Sequence, residues 1–175
     1  MNKEIHSIIR NLQNVLDGAP WYGKPVFTIL HEIDPRIVYK KPALQDGRPN
    51  AHSHSIAELL YHMITWTEFC WRQVEKADKK LVEEIQSRDW RDINPSVHNW
   101  QQGLEELRTL HDHIIAELES KEDEWLKEKV HSRNYNYRFM LNGLIQHNIY
   151  HIGQIAYVNK LFSSCFPRWV TEDSD

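Results

Sequence analysis

Two stretches of this 175-residue chain, 55–77 and 137–162, carry apolar residues every three or four positions, and in both the stripe is broken by histidine. That repeat brings the residues to one face of a helix, so each stretch must bury its stripe against other helices. The first stripe runs Leu59, His62, Trp66, Phe69 and Val74, and the second Met140, Leu144, His147, His151, Ile155 and Val158. Histidine stands where leucine would be expected.

Two further runs share the period. Ile5, Ile8, Ile9, Leu12 and Leu16 predict a helix over about residues 3–17, stopped by Asp17-Gly18-Ala19-Pro20. Trp100, Leu104, Leu107, Ile114 and Leu118 predict another, beginning after Asn94-Pro95-Ser96. Ser55-Ile56-Ala57-Glu58 has the form of a capping box, which fixes a helix start at 55. Only 6 Gly and 7 Pro punctuate the chain, so the expected class is all-α. Pro25, Pro35, Pro42, Gly47 and Pro49 break the segment from Pro20 to His54, which reads as a connection crossing over the bundle, with a short helix around Val26–Ile33. The charged stretch from Glu119 to Lys129 reads as a solvated helix end and loop. No duplication or low-complexity tract divides the chain, so one domain over residues 1–175 is expected.

The net charge is −4, with no long block of one sign to grip phosphates, so nucleic acid is not an expected partner. The first residues lack the apolar core of a leader, and no window approaches the length of an apolar membrane span. A cytoplasmic protein without a membrane partner is therefore expected. Cys70 and Cys165 lack CxxC spacing and are expected to be reduced, buried thiols.

His147 and His151 are four residues apart, one helical turn, with both imidazoles able to reach one ion. With 11 His in the chain, chance alone gives roughly 0.7 such pairs, so the spacing by itself decides nothing. His62 adds weight because it interrupts an apolar stripe on a different helix of the same core. A buried imidazole without partners costs about 1–3 kcal/mol, and a shared metal ion would satisfy one nitrogen of each ring. The alternative is three separate core histidines bonded to carbonyls, tyrosines or water. Three neutral imidazoles around Zn²⁺ or Ni²⁺ would leave positions open to water or substrate, as catalytic sites do.

Three segments together resemble the DinB-like superfamily, also called the DinB/YfiT group, over most of the chain from Gly18 to about Leu161. They are GAPWYGKPVFTILHEI (Gly18 to Ile33), HSIAELLYHMITW (His54 to Trp66) and LIQHNIYHIGQI (Leu144 to Ile155). The resemblance implies a four-helix bundle with up-down-down-up connectivity and a homodimer. It places the family's metal histidines at His62, His147 and His151, with Gly153-Gln154 following the pair. Relatives include bacillithiol S-transferases and mycothiol-dependent maleylpyruvate isomerase, so the resemblance implies a metal-dependent thiol S-transferase, or a related detoxifying or hydrolytic enzyme, using a low-molecular-weight thiol and a small-molecule substrate. Two other readings stand beside it: a non-enzymatic metal-binding or interaction protein of the stress response, and a bundle whose histidines form a metal-free polar network. No thiol-binding signature or general base is legible, so catalytic and cofactor-binding residues are left unassigned.

Other residues have simpler readings. His111 lies near the apolar edge of its helix and reads as a boundary residue before it reads as a neighbour of the metal. His52 and His54 precede the capping box in a Pro/Gly-rich approach and read as solvated. Glu58 is explained as a cap before it is explained as an acid or base. Tyr150 and Gln154 flank the histidine pair and could meet a ligand or a neighbouring helix. Trp21 and Trp66 are candidates for a pocket wall, while the other tryptophans, Trp71 and Trp100 among them, read as core or interface packing. His31-Glu32 begins no HExxH motif, because Arg36 follows near the place of the second histidine.

Overall fold

In the computed structural model, which describes residues 2–43, 48, 53–75, 81–131 and 133–165, the first apolar repeat forms helix α1 (Lys3–Asp17) and buries Ile5, Ile8, Ile9, Leu12, Val15 and Leu16. Its C-terminus closes where Gly18 N–H donates to the Asn14 carbonyl at 3.0 Å. A Cβ at Gly18 would fall 2.7 Å from the Asn14 Cα, so only glycine allows that approach. The crossing connection contains α2 (Val26–His31), whose Val26, Phe27 and Leu30 are buried.

Helix α3 (Ile56–Glu75) starts at the capping box: Ser55 N–H donates to Glu58 Oε2 at 2.7 Å and Glu58 N–H to Ser55 Oγ at 3.2 Å. It is buried on nearly every side, Thr65 and Thr67 included, and those hydroxyls are satisfied by the Tyr61 and Met63 carbonyls at 2.8 Å. Such all-round burial identifies α3 as the interior helix. The connection lies against its start, where Ala57 N–H donates to the Val38 carbonyl at 2.8 Å.

Helix α4 (Leu81–Ser87) and the stretch from Glu119 to Lys129 depart from the sequence reading. Helix α4 sits in a polar stretch and buries Ile85 completely. Helix α5 (Trp100–Glu119) begins after Ser96 as expected: Asn94–His98 folds into a turn, and Asn99 then caps the helix by accepting from Gln102 N–H at 3.1 Å. The stretch from Glu119 to Lys129 is not simply a solvated loop. It contains a 3₁₀ turn (Asp123–Lys127) that fully buries Leu126, and the Asp123 carboxylate accepts the α1 N–H groups of Ile5 at 3.0 Å and Glu4 at 3.3 Å. Helix α6 (Tyr137–Cys165) carries the second histidine-bearing stripe.

Contacts at the helix ends give the relative directions. Asn2 reaches the Lys121 carbonyl while Asp17 pairs with Arg108, so α1 and α5 are antiparallel. Tyr61 bonds the Asn99 carbonyl and Trp71 packs on His113, so α3 and α5 are parallel. Tyr137 bonds the Gln73 carbonyl while His62 meets His151, so α3 and α6 are antiparallel. The result is an all-α fold in which no strand occurs among the described residues, and none of their helices is long and apolar enough to cross a membrane. His52, the expected last turn at residues 76–77 and the side chain of Cys165 lie outside the described residues.

Candidate metal centre

The antiparallel packing of α3 on α6 brings His62 opposite the turn that carries His147 and His151. His62 Nε2 lies 3.1 Å from His151 Nε2 and 3.1 Å from His147 Nε2. All three donor atoms fall within 4.8 Å of one another. His62 and His151 are 6% and 5% exposed, and His147 is half-buried. Imidazole nitrogens held about 2.0–2.1 Å from one ion would be about 2.9 Å apart at right angles and about 3.4 Å apart at tetrahedral angles. The observed separation lies between the two.

The partners of the opposite ring nitrogens favour particular tautomers. His151 Nδ1–H donates to Gln154 Oε1 at 2.6 Å, which leaves Nε2 as a bare lone pair. Asp89 Oδ1 lies 2.7 Å from His62 Nδ1, a close ion-pair approach although out of line for a regular hydrogen bond, and it also accepts Trp66 Nε1–H at 2.7 Å. A carboxylate there keeps the His62 proton on Nδ1 and again turns a lone pair inward. His147 Nε2–H could satisfy His62, but the His62–His151 contact would remain two lone pairs face to face. The His147 Nδ1 is itself buried without a hydrogen-bond partner. A shared proton is disfavoured, since burial, reinforced by the neighbouring imidazoles, pushes His147 down to about 3 and His151 down to about 4, and burial lowers His62 as well. The cluster is a set of neutral donors that can hold a cation.

The indole of Trp90 stacks on the His62 ring at 3.9 Å and on the ring of His54 at 4.0 Å. His54 therefore stands one ring beyond the cluster and is not among its donors. His111 is not a boundary residue but a core one, 1% exposed, with Nδ1–H donating to the Leu107 carbonyl at 2.8 Å and Nε2 accepting from Asn148 at 2.8 Å. Burial pushes its pKa down to about 4, and it does not touch the three histidines. Glu58 serves as the cap and pairs with Lys41 at 2.7 Å. Tyr150 is exposed and meets the His151 ring edge to face, whereas Gln154 orients that ring directly.

An apolar cavity opens beside His147, walled by Trp66, Phe69, Met140 and Leu144. Trp21, expected with Trp66, is instead fully exposed and lines a separate groove between α1 and α6. Cys70 is free and buried, as expected, and burial pushes its thiol up to about 12. Asp89 and Trp90 were not foreseen, because they sit in a polar run whose sequence carries no period.

A family model described as the DinB superfamily matches residues 29–155, a span that contains His62, His147 and His151. The Gly18 to Ile33 segment lies mostly before it. No curated protein matches the chain. The matched span exceeds half of the sequence and encloses the histidine cluster, and on that basis the chain belongs to the DinB superfamily.

Proposed function

We propose that this protein holds one divalent metal ion, Zn²⁺ or Ni²⁺, on His62, His147 and His151, and that it activates a low-molecular-weight thiol or water against a small electrophile. The observation that supports this most is the convergence of three Nε2 atoms at 3.1 Å when the Nδ1 protons of His62 and His151 are directed elsewhere. Membership of a metal-associated superfamily points the same way. When bound, such an ion supplies the Lewis acidity that makes a thiolate or hydroxide available at neutral pH.

The chain contributes orientation and exclusion of water. Gln154 and Asp89 fix the tautomers, Trp90 covers one face of His62, and the apolar wall beside His147 keeps the approach dry. Cys70 is buried, and burial raises its thiol pKa, which disfavours it as the nucleophile. In this reading the thiol comes from solution. The test is conjugation of a small thiol to an aryl halide such as chlorodinitrobenzene by zinc-loaded, chelator-treated and His147→Ala protein. Acceleration by the loaded wild type alone supports the reading. Equal rates in all three contradict activation and favour an ion that only ties α3 to α6.

A further inference from the structure

We propose that the apolar cavity beside His147 is a substrate subsite, holding a compact neutral group about the size of a benzene ring carried by the molecule whose polar end reaches the three histidines. This inference rests on the metal reading of the cluster. The cavity has a volume of about 160 Å³ and is walled by Trp66, Phe69, Tyr135, Met140, Leu144 and His147. A space of about 150 Å³ is enough for a benzene ring, so a ring fits here. Most of the wall is apolar, Cys70 is a buried neutral thiol, and the neighbouring cation, Arg133, is turned onto the Phe69 ring at 5.2 Å.

His147 is at once a wall of this cavity and a member of the Nε2 cluster, so the cavity lies one side chain from the cluster and a ligand reaching both needs only a short link. Gly143, one turn earlier on α6, also lines the space. A Cβ built there meets nothing within 4 Å, so no neighbour demands glycine, and an interior helical glycine is unfavourable relative to alanine. What its missing side chain provides is open room.

The test titrates cobalt(II)-loaded protein with benzyl mercaptan and with mercaptoethanol, following sulfur-to-cobalt charge-transfer absorption. Wild type should bind benzyl mercaptan at least about tenfold more tightly. Gly143→Leu should keep its cobalt and its mercaptoethanol affinity but lose that preference to within about twofold, while the smaller Gly143→Ala keeps most of it. Equal affinity for the two thiols in wild type, or an unchanged preference in Gly143→Leu, overturns the subsite while leaving the metal in place. Should cobalt not bind, ligand-detected NMR with toluene separates the two ideas. Toluene binding to wild type that is lost in Gly143→Leu keeps the cavity and discards the metal, and no toluene binding to wild type discards the cavity.

Discussion

Asp89 is the side chain on which the geometry of the histidine cluster most depends, because one of its oxygens faces both His62 Nδ1 and the Trp66 indole. Asp89→Asn keeps the size but removes the charge that holds the His62 proton away from the centre. It should weaken metal affinity by roughly 10–100-fold in competition with a chromophoric chelator, and unchanged affinity would mean that Trp90 stacking alone orients the ring. The histidines themselves set a pH dependence. Above about pH 6.5 they are neutral in both folded and unfolded chains, and below it the unfolded chain takes up protons that the buried rings refuse. Metal-free stability should therefore fall as pH drops from about 6.5 toward 4, by up to about 1.4 kcal/mol per pH unit for each ring held neutral, with His111, His147 and His151 contributing most. Urea unfolding at pH 7 and pH 5 measures it, and equal or greater stability at the lower pH contradicts it. The three histidines were legible because each broke an apolar stripe. Asp89 was not, since no spacing rule says which of many acids will fold back onto a ligand.

Legibility divides in the same way among the elements. The start of α3 is written locally, in a serine and a glutamate three residues apart that exchange hydrogen bonds. The start of α1 depends instead on Asp123, which lies 118 residues from Ile5 along the chain, and no local pattern announces it. Leu126 shows the same limit, since with only Trp125 beside it among charges it makes no period, yet it is completely buried under the bundle end. A residue in a solvated loop would tolerate Leu126→Ala with a change inside about 0.5 kcal/mol. The observed packing predicts a loss of about 2–5 kcal/mol, read from chemical unfolding at constant slope. Helix α4 escapes the sequence reading for the same reason, since Leu81, Val82 and Ile85 are too few to mark a stripe.

For the whole molecule, the helix directions matter more than any one contact. Antiparallel packing of α3 on α6 places residues nearly ninety positions apart in one cluster, and the interior position of α3 keeps that cluster dry on the His62 and His151 sides. His147 is half-buried and the cavity opens beside it, so the proposed substrate would arrive from that side. Most directly testing is the metal content of untagged protein by inductively coupled plasma mass spectrometry, measured for wild type, His62→Ala and His147→Ala. The account predicts close to one divalent ion per chain in wild type and none retained in either variant. A wild type that binds no metal after reconstitution, or variants that keep it, would contradict the assignment of these three histidines.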